Sequence, residues 1–289
     1  MYRMSTEWQI APGSVAAGEM LFAVGDIHGY IDHLRELRHL IQDEIDARPD
    51  LHSKIIYVGD YIDRGPHSRE VLEFLAEDWQ NGGVPSIFLY GNHEHFLKSL
   101  LAMEDDDDQL PMAETVLIWL QNGGQAALRS FDIKFDPYEF GDMRFLRDTL
   151  RSKLSPLALE FVAQLRLWYR QDDYVFVHAG VNPVTPFEEF HPEEFLWMRH
   201  RFLNADEGWR HRFSVVHGHT PSCPEVLPHR IGVDTGVFIT EALTAAQLYD
   251  CKVRFLTAAS DSTGIWQEEL TKGVPQPYRL MDTPAWTEI

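Results

Sequence analysis

The sequence predicts an α/β fold carrying a helical insertion, and three observations support that prediction. Over the first hundred residues, short and nearly all-apolar strands alternate with amphipathic helical patterns, the signature of βαβ units with buried strands. Each of those strands ends in Gly followed by Asp or Asn. From about residue 98 to 170 the alternation gives way to helical stretches, after which a second series of strands begins.

Taken in order, M-L-F-A-V-G-D ends at Asp26 and leads into a helix with Ile31, Leu34, Leu37, Ile41 and Ile45 on one face. K-I-I-Y-V-G-D ends at Asp60, and Val71, Leu72, Leu75 and Trp79 mark the helix after it. P-S-I-F-L-Y-G-N ends at Asn92, followed by Phe96, Leu97 and Leu100. Ligands of such folds gather at the carboxyl ends of the strands. The insertion opens with the acidic run Glu104 to Asp108, read as a solvated loop. It continues with helices around Ala113 to Gln121 and Leu157 to Tyr169, Gly123 and Gly124 ending the first of them. It is expected to lie over one edge of the sheet. The later strands are D-Y-V-F-V-H, F-S-V-V-H-G-H, R-I-G-V-D-T-G and A-A-Q-L-Y-D, and the tail after about Thr271 is Pro-rich and weakly patterned. Without a linker or a solenoid repeat, residues 1–289 read as one domain.

Composition narrows the function. A formal net charge of −20 argues against nucleic acid or an anionic membrane as partner, since both select a basic footprint. A small anionic substrate remains compatible, because it answers to the local field of a site. Cys223 and Cys251 are too few for a disulfide framework. The first residues lack a signal-peptide core, and no apolar run approaches the roughly 20 residues of a membrane span. A cytoplasmic protein is expected.

The chemistry concentrates at strand ends. In G-D-I-H-G, Asp26 and His28 lie two apart and project the same way from extended backbone. G-D-Y-I-D-R-G adds Asp60, Asp63 and Arg64, and G-N-H-E adds Asn92, His93 and Glu94. H-A-G-V contributes His178, and V-V-H-G-H-T contributes His217 and His219, between which spacing alone does not choose. Taken singly, each string is compatible with a capped turn or a structural histidine. Together they offer oxygen and imidazole ligands without thiolates, a set suited to Mn, Fe, Mg or Zn. Six or seven ligands exceed what one tetrahedral ion takes, which points to two metals sharing a carboxylate.

In this order, G-D-I-H-G, G-D-Y-I-D-R-G, G-N-H-E, H-A-G and G-H-T resemble the calcineurin-like metallophosphoesterases, and more narrowly the bacterial and phage branch of the phosphoprotein phosphatases. The resemblance implies central β-sheets packed as a β-sandwich and flanked by helices. It implies Asp26 and His28 as ligands of one divalent ion, Asp60 as the bridge, and Asn92, His178 and His219 on the second ion. His93 would be the general acid, oriented by Asp63. Arg64, Asn92 and Arg199 (in L-W-M-R) would hold the phosphoryl group. It selects His219 over His217, and it makes Asp234 an anchor rather than a ligand. Manganese is the expected metal, with iron or zinc as alternatives. Water shared by two such ions loses a proton near neutral pH and becomes a nucleophile in line with phosphorus.

Three functions follow from that resemblance. The first is a phosphatase of phosphoserine, phosphothreonine or phosphotyrosine in proteins. The second is a hydrolase of diadenosine tetraphosphate or another phosphorylated small molecule. The third is a metal-binding regulatory protein without catalysis, disfavoured by the complete set of motifs. Asp63, the Glu of G-N-H-E and the G-H-T-P of Gly218 to Pro221 favour the first, since the symmetrical tetraphosphatases of that branch differ at these positions.

Overall fold

The computed structural model of the chain describes residues 1–134, 142–205 and 208–260, so the Pro-rich tail lies outside the described residues. In chain order come β1 (Tyr2–Ser5), β2 (Gln9–Ile10), β3 (Glu19–Val24), α1 (Ile31–Asp46), β4 (His52–Tyr57), α2 (Ser68–Asn81), β5 (Ser86–Phe88) and α3 (Asn92–Ala102). The insertion supplies α4 (Gln109–Trp119), a π-helical turn (Leu120–Gly124), α5 (Gln125–Ser130), α6 (Met143–Lys153) and α7 (Pro156–Gln164). Then follow β6 (Trp168–Gln171), β7 (Tyr174–Val177), a 3-10 turn (Phe187–Glu189), α8 (Pro192–Trp197), α9 (His200–Leu203), β8 (Ser214–His217), β9 (Glu225–Leu227) and β10 (Arg230–Gly232). α10 (Val237–Thr240), β11 (Ala242–Tyr249) and β12 (Lys252–Ala259) complete the described elements.

The strands form two sheets. One runs β1-β12-β11-β3-β4-β5, with β2 also on β12, and the other runs β6-β7-β8-β10-β9. Neighbours β3, β4 and β5 are parallel, as are β7, β8 and β10. Alternation along the strands assigns the layers. Phe22, Val24, Ile55 and Tyr57 face helices, whereas Leu21, Ala23, Ile56 and Val58 meet Tyr174, Phe176, Val216 and Ile231 of the second sheet. The far face of that sheet, with Val175, Val177 and Val215, is covered by Phe195 and Phe202 of α8 and α9. The result is the expected sandwich of two sheets with helices outside both.

Elements of the insertion differ from expectation in informative ways. The helix expected to reach Tyr169 stops at Gln164 because the next residues are recruited to a strand edge. Arg166 N–H donates to the Phe88 carbonyl at 3.0 Å and its own carbonyl accepts from Tyr90 at 2.9 Å, after which β6 pairs with β7. The helix breaks at Gly123 as expected, and what the pattern did not show is that α5 starts directly beyond this kink, at Gln125. Gly123 has φ +108°, and a Cβ there would sit 2.7 Å from Arg64 Cγ. The acidic run is the exposed loop expected, and two of its members also tie it in: Asp108 caps α4 through Leu110 N–H at 3.1 Å, and Asp105 pairs with Arg147 of α6 at 2.7 Å. β12, which the sequence pattern does not single out, pairs with β11 along its whole length.

Candidate functional site

Strand register brings the first three loops together. Val24 lies beside Tyr57, and Tyr57 beside Phe88, so the chain segments leaving β3, β4 and β5 emerge at one rim. The Asp60 carbonyl accepts N–H bonds from both Ile27 and His28 at 2.9 Å. The fully buried Glu94 carboxylate accepts from Asp60 and Tyr61 at 2.8 Å, Gly91 at 3.0 Å and Ile62 at 3.2 Å. One side chain thereby fixes the backbone around the Asp60 loop and caps α3. That loop is conformationally demanding. Of the nine non-glycine residues with positive φ among the described residues, five are His28, Asp60, Asp63, Arg64 and His219. Such backbone persists only where surrounding contacts over-determine it, and it clusters at functional sites.

Asp60 is the hub. One group of close potential ligand atoms comprises His28, Asp60 and His93; a second comprises Asp60, His178 and His219. Asp60 Oδ2 lies 3.6 Å from His28 Nε2 and 3.7 Å from His93 Nε2, while Oδ1 lies 3.4 Å from His178 Nε2. His28 Nδ1 donates to the Ile62 carbonyl at 2.8 Å and His178 Nδ1 to the Val58 carbonyl at 3.1 Å. Both imidazoles therefore turn an Nε2 lone pair into the site. Asn92 Oδ1 and His219 Nδ1 close on His178 Nε2 at 2.9 and 3.1 Å. Asp26 Oδ2 accepts the His219 N–H at 3.0 Å, so Asp26 spans both sheets; it lies outside both groups of close ligand atoms.

Electrostatics shows what the site requires. Burial, then the neighbouring carboxylates Asp234 and Asp60, push the Asp26 carboxyl well above its ordinary range. Asp60 is raised by burial and by Glu94. Burial pushes His178 down to about 3. Burial followed by the Arg64 charge lowers His28 and His93, and burial followed by Arg199 lowers His219. Asp26 Oδ1, His93 Nε2 and His219 Nε2 are buried without a hydrogen-bond partner among the described residues. Crowded carboxyls and converging imidazole lone pairs without a counter-charge are costly, and a divalent cation with an N/O preference satisfies them. The residues fit such a group.

His93 Nδ1 lies 2.6 Å from Asp63 Oδ2. Arg64 Nη1 donates to His28 Nε2 at 2.9 Å, and its guanidinium lies 4.3 Å from the Phe238 ring centre. Arg199, at the start of α9, is half-buried and within the field of Arg64, Asp234, Asp60 and Asp26. His217 is elsewhere. The chain leaves strand geometry at His219, whose φ is +67°, and His217 instead packs edge-on against Phe202, with ring centres 5.0 Å apart. Asp234 Oδ1 accepts the Gly236 N–H at 2.8 Å and lies outside both groups of ligand atoms. Sequence reasoning missed Phe238 and Trp119, whose Nε1 donates to Asp63 Oδ2 at 2.7 Å. The signal for Trp119 was its position beside N-G-G, which reads as helix punctuation and nothing more.

Residues 21–236 match a family model described as calcineurin-like phosphoesterase. The chain is 26% identical over 242 residues to serine/threonine-protein phosphatase 1 of Salmonella typhimurium, covering 79% of this chain and 91% of that one. It is 34% identical over 243 residues to the asymmetrical bis(5'-nucleosyl)-tetraphosphatase PrpE of Bacillus velezensis, covering 76% and 86%. Among solved structures, the cold-active protein-tyrosine phosphatase of a psychrophilic Shewanella superposes with TM-score 0.52 at 13% identity, over 83% of this chain and 80% of that one. At that identity the superposition speaks for the fold.

Proposed function

Because the chain belongs to the calcineurin-like phosphoesterases, and so to a family of metal-binding hydrolases, we propose that it hydrolyses phosphomonoesters in proteins, on phosphoserine and phosphothreonine and also on phosphotyrosine. The observation that carries this reading is the buried His93–Asp63 pair, 2.6 Å between Nδ1 and Oδ2. An alkoxide leaving from serine or threonine needs a proton, and an imidazole steered by a carboxylate is built to donate one. A nucleotide leaving from a phosphoanhydride is already a stable anion and gains less from such an acid.

In this reading Asp26, His28 and Asp60 would hold one divalent ion, and Asp60, Asn92, His178 and His219 a second, manganese being the first choice. Bound there, the ions supply Lewis acidity and lower the pKa of water towards neutrality. Arg64 leaves its contact with His28 Nε2 to take phosphoryl oxygens in the bidentate manner open to a planar guanidinium, joined by Arg199 and Asn92. Asp63 holds Nδ1–H of His93, so the acid is the imidazolium form, whose second proton sits on Nε2 and passes to the departing oxygen, leaving the neutral ring.

The relation to the Bacillus velezensis protein favours a second reading, hydrolysis of a dinucleoside tetraphosphate. The deciding measurement is the ratio of kcat/KM for a phosphothreonine peptide to that for diadenosine tetraphosphate, with manganese-loaded protein and a chelated control. A ratio well above one is expected. A ratio well below one would transfer the protein to the nucleotide hydrolases.

A further inference from the structure

We infer that Trp119, supplied by the helical insertion, is a positioning residue for the acid His93, acting through Asp63; the inference rests on the phosphomonoesterase reading. Trp119 is fully buried at the end of α4. Its indole N–H and His93 Nδ1 both reach the same carboxylate oxygen, Asp63 Oδ2, at 2.7 and 2.6 Å. Four residues on, the Gly123 carbonyl accepts the Arg64 N–H at 3.2 Å. The segment from Trp119 to Gly124 therefore docks on the Asp63–Arg64 turn at two points, and one turn of the insertion braces both the acid's carboxylate and the backbone of the phosphate clamp. The indole itself is packed in place, since a Cβ at Gly124 would lie 2.8 Å from its Nε1.

The chemistry of the donors makes the contact more than packing. An indole N–H only donates, so Asp63 Oδ2 must present lone pairs to it. With Asp63 ionised, Oδ2 accepts from both the indole N–H and the His93 Nδ1–H. With Nδ1 committed as donor, Nε2 is the atom that exchanges a proton with the substrate. Trp119 thus fixes the carboxylate rotamer and with it the ring orientation that aims Nε2 into the site. Without the indole N–H, Oδ2 and Oδ1, the latter without a hydrogen-bond partner among the described residues, become alternative acceptors, and the imidazole loses its single orientation.

Trp119→Phe removes the N–H and keeps an aromatic ring. An outer partner of this kind is worth roughly 10–100-fold in activity. The expected result is a loss of that size on a phosphothreonine peptide, a much smaller loss on an aryl phosphate, and no further loss when the change is made in a His93→Asn background. Benzothienylalanine at position 119, which keeps the two-ring shape and replaces N–H with sulfur, gives the same comparison if the phenylalanine variant melts early. In metal-free protein the indole ¹H–¹⁵N resonance of Trp119 is expected far downfield and to move upfield in Asp63→Asn. Equal losses on both esters, additive losses with His93→Asn, or an indole resonance indifferent to Asp63→Asn would overturn the role. A parental protein inactive on both esters would remove the phosphatase reading and the catalytic role with it, while the resonance still decides the contact.

Discussion

The rims of the two sheets meet at Asp60, and they hold their donors by different means. On the first rim, backbone does the work: Glu94 gathers the N–H groups of Asp60, Tyr61 and Ile62, and His28, Asp60, Asp63 and Arg64 adopt left-handed backbone. On the second, His178 and His219 follow short strands and take their anchors from the opposite sheet. His178 Nδ1 is held by the Val58 carbonyl, and the His219 N–H by Asp26. The first rim is preorganised by its own loops and by the insertion docked on the Asp63–Arg64 turn, whereas the second is completed only when the sandwich closes. Cation binding at the second rim should therefore be coupled to the packing of the sheets, as metal affinity generally is to folding.

The change that breaks both rims together is Asp60→Asn. It removes the one charge common to the two ligand groups, so loss of activity is expected to exceed the roughly 10–100-fold typical of an outer partner, with both cations weakened in calorimetric titration. Retention of one tight cation would mean that Asp60 serves a single rim. Next in size is His93→Asn, for which about 100- to 10,000-fold is expected on a phosphothreonine peptide and far less on an aryl phosphate. Equal losses would instead make His93 a ligand, a role its place beside His28 and Asp60 also permits.

The comparison is sharpened by paired variants. Titrated with manganese, His28→Ala should lose one binding step and His219→Ala the other; both should lower the cation's effect on the melting temperature, His219→Ala the more. Identical calorimetric and melting behaviour would show that the rims do not act separately. A smaller effect is expected from Glu94→Gln. Its amide presents one acceptor oxygen where four backbone N–H groups now share two, and each buried group left unpaired costs about 1–3 kcal/mol. Urea unfolding of metal-free protein should register a loss of that order.

The same contrast explains what was legible in the sequence. Asp26, Asp60 and Asn92 stood out because three parallel strands end in the same Gly-acid or Gly-amide pattern, and strand ends carry their position in sequence. The helical faces of α1 to α3 were equally plain from spacing: Leu34, Leu37, Val71, Leu75 and Leu97 are all fully buried. The partition into two sheets did not follow from the residues. Tyr174 and Phe176 face the first sheet while Val175 and Val177 face α8 and α9, yet as an unbroken apolar run they give no alternation to read. Trp119 was illegible for a further reason, since its partner Asp63 lies 56 positions away and is reached only through the packing of the insertion.

His217 supplies the smallest expected effect and the cleanest control, because it lies two positions before a ligand candidate and faces away from it. Its Nδ1 contacts the Gly218 carbonyl at 3.0 Å, while its buried Nε2 has no hydrogen-bond partner among the described residues. Burial, followed by the Arg230 charge, pushes its pKa down to about 3. Below its unfolded value near 6.5, the unfolded chain therefore takes up a proton that the folded protein refuses, and stability falls as pH drops through that window towards 3. His217→Phe keeps a ring against Phe202 and abolishes that linkage. Between pH 7.5 and 5.5 the parental protein should lose about 1.4 kcal/mol more than the variant in urea unfolding, the value for one proton across one unit below the unfolded pKa. Manganese stoichiometry and kcat/KM should stay near parental. A variant that lost a cation instead would place His217 in the site and undo the distinction between the two histidines on which the second rim rests.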